Sequence, residues 1–196
     1  MELDDDIQHM LRVCTGDEAA FEVLHDRYQR RVLGFFWGLT RDAMAANELT
    51  QETFLRVWQV RKRYRASGPF AAYLFAIARM ILLEQRRKAG RLARLGEKIA
   101  ASTPGEYQAG FFSSPETFAS ATEAGDALHD AIAALPEEQR IAFLLHTVQG
   151  LSMDEVAAAL DCPLNTARSR RILAVRKLRQ TLSPYFASLT GRALVE

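Results

Sequence analysis

Cysteine is nearly absent: Cys14 and Cys162 stand far apart, neither with a C-x-x-C partner. That excludes a disulfide framework and a zinc knuckle. The four histidines, His9, His25, His129 and His146, are equally scattered. None falls in an H-E-x-x-H or comparable ligand spacing, so no metal site is expected. No stretch approaches the roughly 20 apolar residues of a transmembrane helix. The opening Met1-Glu2-Leu3-Asp4-Asp5-Asp6 is acidic where a secretory signal needs positive charge and an apolar run. A soluble cytoplasmic protein, with no membrane insertion and no cofactor, is the expectation. A nucleophile elbow, a P-loop and a dinucleotide fingerprint are all missing, so an enzyme is the weakest of the functional classes.

What is present is an apolar fraction of 48% over 196 residues, enough for one large core or two small ones. The net charge of +1 conceals a strong segregation. Between Arg56 and Lys98 lie twelve basic residues, Arg56, Arg61, Lys62, Arg63, Arg65, Arg79, Arg86, Arg87, Lys88, Arg91, Arg94 and Lys98, opposed only by Glu84 and Glu97. A second basic group, Arg168, Arg170, Arg171, Arg176, Lys177 and Arg179, contains no acid. The N-terminal stretch and the segment Glu106 to Glu138 are acidic. A lone basic run is usually a solvated helix face. Two such surfaces separated by an acidic connector suggest a polyanion gripped at two places.

Nearly every periodic segment has helical spacing, and the expected fold is all-α. A first helix is predicted from Asp17, its N-cap, to about Leu39. A second runs from about Asp42 past Trp58, with Phe54, Val57 and Trp58 at helical spacing. Ser67-Gly68-Pro69 breaks the chain before a third, whose stripe of Phe70, Tyr73, Leu74, Ile77 and Ile81 reaches about Arg87. Residues 1–95 then form one small helical domain. Residues 96–125, punctuated by Ser102-Thr103-Pro104-Gly105 and Ser113-Ser114-Pro115 and carrying Phe111, Phe112 and Phe118, read as a flexible linker. A second helical domain is expected over 126–183, and 184–196 as a short tail.

In that second domain Ser152 and Glu155 form a capping box, with Gly150 set to end the preceding helix in the left-handed conformation. A short helix Met153–Leu160, a turn at Asp161-Cys162-Pro163 and a longer helix from about Asn165 to Leu182 make a helix-turn-helix. Val156, Ala157 and Leu160 buttress the second helix, whose opening residues Asn165, Thr166, Arg168 and Ser169 can reach base edges or phosphates in a major groove. The first domain interleaves Trp58, Tyr64, Phe70 and Tyr73 with arginines, a combination suited to stacking on unpaired bases. Phe70 and Tyr73 belong to the apolar stripe and read as core. Tyr64, with charged neighbours, is the better stacking candidate.

The order of these pieces resembles the sigma-70 superfamily, and the two-domain form resembles its extracytoplasmic-function group. Gly16-Asp17-Glu18-Ala19-Ala20-Phe21 looks like the start of region 2, and Glu48-Leu49-Thr50-Gln51-Glu52-Thr53-Phe54-Leu55-Arg56-Val57-Trp58 is similar to the region 2.2 signature. Phe70 to Arg79, followed by Arg86-Arg87, resembles regions 2.3 and 2.4. Leu135-Pro136, Gly150-Leu151-Ser152, Glu155-Val156-Ala157, Pro163 and Thr166-Ala167-Arg168-Ser169-Arg170 resemble region 4.

The resemblance implies an RNA polymerase sigma factor without catalytic residues of its own. Asn47, Glu48, Leu49, Gln51, Glu52, Phe54, Leu55 and Trp58 would dock on the clamp helices of polymerase β′, and region 4 would meet the β flap. Arg61, Lys62, Arg63, Tyr64 and Arg65, with Arg79, Met80, Arg86 and Arg87, would contact the −10 element, partly as single strand. Asn165, Thr166, Arg168, Ser169, Arg171 and Ile172 would read the −35 element as duplex. An anti-sigma factor is a further partner the family suggests. Met80, Tyr73 and Asn165 depart from the family pattern, as do Arg171, Leu173 and Val175, and these departures bear on which promoter is read. The competing class is a stand-alone helix-turn-helix regulator that binds duplex DNA as a dimer. It leaves the single-strand and docking features of the first domain without a purpose.

Overall fold

The computed structural model describes residues 2–96 and 123–192, and the expected linker lies almost wholly outside them. Every described element is helical. The chain runs α1 (Glu2–Cys14), α2 (Glu18–Thr40), α3 (Ala43–Val60), a 3-10 turn at Arg61–Arg63, and α4 (Phe70–Gly96). It resumes with α5 (Glu123–Ala133), α6 (Glu137–Phe143) leading into a π-helical turn at Leu144–Val148, α7 (Met153–Leu160) and α8 (Leu164–Arg192).

The boundaries follow from capping chemistry. Asp17 accepts the Ala20 amide at 3.0 Å and starts α2, and Asp42 accepts from Met44 and Ala45 to start α3. Ser152 and Glu155 close the capping box of α7 from both sides. Gly150, at φ +71°, turns the chain out of the π segment. There His146 Nδ1 donates to the Leu151 carbonyl at 2.7 Å, which fixes the approach to α7.

Three features differ from the sequence expectation. Helix α1 was not expected: its acidic residues obscure an inward set of Asp6, Met10 and Val13, all buried. Asp6 is tolerated inside because Tyr28 Oη and the Arg27 guanidinium both donate to it. Helices α4 and α8 outrun their apolar stripes, to Gly96 and Arg192. The extension of α4, residues 88–96, is rich in Lys, Arg, Ala and Leu, which propagate a helix without needing a core. That of α8 contains Pro184 and Gly191, and helix propensity does not account for it.

The third difference is larger. The two domains, expected as units joined by a flexible linker with their relative orientation left open, pack against each other: α4 lies on α7, and α2 touches α5 and the π turn. One continuous cluster of buried side chains runs from Met10 and Phe35 through Leu74 and Ile81 to Leu145, Val156 and Leu178. Gly38, in the last turn of α2, lets Leu144 approach; a Cβ there would sit 3.1 Å from both Leu144 methyls. Composition and charge patterning show which faces are apolar or basic, but not that two such faces belong together.

Candidate nucleic-acid interface

On α3 the helical period sorts the docking candidates into two sets. Leu49 and Phe54 are buried at 1% and 4% exposure, so as folded they are core residues and not surface, a correction to the expectation. Phe54 lies against Phe21 and His25. The outward face is made by Met44, Glu48, Gln51 and Leu55, at i, i+4, i+7 and i+11, with Met44 and Leu55 more than half exposed. Met44 was not among the sequence candidates, although the same period extended one turn back reaches it. Asn47, Glu52 and Trp58 flank this face and are half-buried. Asn47 donates to the Ala43 carbonyl, and Glu52 faces Arg56.

The next segment presents its cations and hides its aromatic. Lys62, Arg63 and Arg65 are exposed. Arg61 folds back over the Trp58 ring, 4.2 Å from its centroid, and donates to the Trp58 carbonyl. Tyr64 is 4% exposed, edge-on to Tyr73 with ring centroids 4.8 Å apart. The stacking role expected for it therefore has no accessible ring face in this conformation. Its charged sequence neighbours point elsewhere because the 3-10 turn rotates successive side chains apart. Burial pushes the phenols up, Tyr73 to about 12 and Tyr64 in the same direction, so both are neutral. Cys14 lies beneath the turn and donates its thiol to the Arg61 carbonyl at 3.1 Å. Burial raises that thiol as well, which keeps it protonated and inert.

Farther along α4, Met80 and Arg87 are exposed. Arg79 and Arg86 are not free: Arg79 Nη2 donates to Glu138 Oε1 at 3.1 Å, and Arg86 pairs with Glu137. Both acids belong to the second domain.

The helix-turn-helix is formed as expected. Asp161, at φ +48°, makes the turn, a conformation in which Asp is one of the few tolerated side chains. Ala167 and Ala174, with no exposed surface, let α8 sit close on the helices it packs against, α6 and α7 among them. The outward face of α8 carries Asn165, Arg168, Ser169 and Ile172, at i, i+3, i+4 and i+7. Ile172, at 60% exposure, is an apolar group with no structural reason to face solvent. Thr166 and Arg171 are half-buried at the edges of this face, and Arg170 turns away toward Glu138, 3.0 Å from its Oε2.

Described residues that are all helical in their regular elements, with a helix-turn-helix whose second helix turns polar and basic side chains outward and a separate cationic segment beside an aromatic core, define a protein of the helix-turn-helix class. Comparison with known proteins narrows that class. Residues 24–92 match the family described as Sigma-70 region 2, and residues 125–178 match Sigma-70, region 4. The chain is 29% identical to the RNA polymerase sigma-H factor of Pseudomonas aeruginosa, over 92% of this chain and 95% of that protein. It is 30% identical to the ECF RNA polymerase sigma-E factor of Haemophilus influenzae, over 88% of this chain and 93% of that one. In fold it is similar to the Bartonella quintana sigma factor RpoE, solved in complex with the anti-sigma factor NepR (TM-score 0.65, 23% identity, covering 83% of this chain and 96% of that one). CnrH, solved with the cytosolic domain of CnrY, matches with the same TM-score at 19% identity, over 92% and 98% of the two chains. The chain belongs to the extracytoplasmic-function RNA polymerase sigma factors. Among the described residues no helix is long and apolar enough to cross a membrane.

Proposed function

We propose that the chain performs sigma-factor initiation through three separate faces. The Met44-Glu48-Gln51-Leu55 face of α3, flanked by Asn47, Glu52 and Trp58, docks on the polymerase clamp helices. Lys62, Arg63 and Arg65, with Arg79, Met80, Arg86 and Arg87, engage the −10 element; cations follow the backbone as the strands separate. The Asn165-Arg168-Ser169-Ile172 face of α8 enters the major groove at the −35 element, Arg168 donating to guanine or phosphate and Ile172 meeting a thymine methyl.

The observation that carries this reading is the α8 face: four residues at helical spacing, three polar and one apolar, left outward directly after the helix-turn-helix turn. One solved structure similar in fold is a sigma factor bound to an anti-sigma factor, which supports an anti-sigma protein as a partner here too. The test is in-vitro transcription with bacterial core polymerase on fragmented genomic DNA, with and without the protein. New 5′ ends sharing −10 and −35 elements are expected. Their absence, together with tight duplex binding by the protein alone, would transfer the reading to a dimeric helix-turn-helix regulator.

A further inference from the structure

The acids that open α6 lie among arginines from two other helices. Glu138 accepts from Arg79 of α4 through Oε1 and lies beside Arg170 of α8 through Oε2, while Glu137 pairs with Arg86 of α4. Arg79 and Arg86 are seven residues apart, two turns along one face of α4. The acidic pair thus covers two cations assigned to the −10 element and a third from the recognition helix. A fourth guanidinium, Arg140, crowds the same place, its pKa pushed down by burial and then by Arg86.

The surroundings show a joint that holds without being fully satisfied. Arg31 donates to the Gln149 carbonyl at 2.6 Å, Arg41 pairs with Asp130, and Leu144 seats on Gly38. Yet Arg79 Nε, Arg140 Nε and Glu137 Oε1 are buried without a hydrogen-bond partner. A partly satisfied ionic cluster recovers its desolvation cost poorly. The same guanidiniums gain when they are offered phosphates instead.

We propose that Glu137 and Glu138 act as an internal stand-in for promoter phosphate. In the free chain their carboxylates occupy Arg79, Arg86 and Arg170 and hold the second domain over the −10 face of α4. DNA gains that face only when the domains separate, as they must to reach two elements spaced along a promoter. The proposal rests on reading Arg79 and Arg86 as promoter contacts.

The test uses the full chain in two variants that open the joint by different means. Glu137→Gln/Glu138→Gln removes the carboxylates; Gly38→Leu leaves every charge in place and wedges Leu144 off α2. Small-angle scattering reports compaction, and the anisotropy of a labelled oligothymidylate reports phosphate binding. Both variants should expand and bind about fivefold more tightly at low salt, with helical content by circular dichroism unchanged. Tighter binding by the glutamine variant without expansion would mean a long-range charge effect and overturn the proposal. Expansion of both variants without tighter binding would overturn it as well, since the joint would then not compete with DNA. A separate arm examines Arg79→Ala/Arg86→Ala in the polymerase holoenzyme. Undiminished initiation there would remove the promoter assignment of those arginines, whereas the scattering result would stand on its own.

Discussion

At Asp6 a carboxylate is kept inside the protein by two donors, Tyr28 Oη and Arg27. Burial, followed by the Asp6 hydrogen bond, drives the Tyr28 phenol far above its usual range, so it remains a donor at any working pH. Asp6→Ala strands that hydroxyl in a buried site, and urea unfolding should show a loss of about 2 kcal/mol. Tyr73 presents the opposite case, with a buried hydroxyl that has no hydrogen-bond partner. Tyr73→Phe should leave stability at neutral pH unchanged or raise it by up to about 1 kcal/mol. The pH dependence supplies a second readout. A phenol whose folded pKa lies above its unfolded value of about 10 contributes stability that is fully present below that value. For Tyr73 the contribution is lost as pH rises toward about 12. The urea midpoint of the wild type should therefore fall over that alkaline range, and less steeply in Tyr73→Phe. Single residues were the least legible level of the sequence. Leu49, Phe54 and Tyr64 sit inside motifs whose family role is a surface one, yet they point inward. Motif membership carries no information about facing, which is set by the helical period and by what the helix packs against.

Among the elements, α7 shows how much stability a local signal controls. Its eight residues are too few to persist alone, so the capping box and the apolar face of Val156, Ala157 and Leu160 must hold it. Ser152→Ala should cost about 1 kcal/mol in thermal unfolding and loosen the platform beneath α8. On α8 itself, Arg168→Ala should weaken binding of a −35 duplex by about 1–3 kcal/mol and relax preference at a single base pair. A uniform loss across all sequences would instead assign Arg168 to phosphate. Elements were the most legible level, because Asp17, Asp42, Gly150 and Ser152 mark their ends by side-chain chemistry that does not depend on the rest of the fold. Where such a marker is missing, the end of the element is not legible in the sequence. Helix α1 buries its Asp6 and so disguises its period, α4 continues on helix propensity after its apolar stripe ends, and α8 continues through Pro184 with no local signal for it.

For the whole molecule the decisive contact joins Arg79 to Glu138, 59 residues along the chain, across a segment with no helical periodicity. Nothing local announces such a pairing; acid and base runs predict attraction in general, not which acid meets which arginine. Its consequence for unfolding can be measured. The second domain is small, with a correspondingly modest core of its own. Docked, it shares one buried cluster with the first domain and gains the ion pairs of Glu137 and Glu138. The wild type should therefore melt in one calorimetric transition at low salt, with calorimetric and van't Hoff enthalpies equal. Half-exposed ion pairs are screened as ionic strength rises, so salt should loosen the joint before it loosens either core. Glu137→Gln/Glu138→Gln should resolve two transitions, the second domain melting first, and added salt should move the wild type toward the same profile. Two transitions in the wild type at low salt would mean that the shared cluster couples the domains too weakly to hold them together, and the docked arrangement would lose its energetic basis.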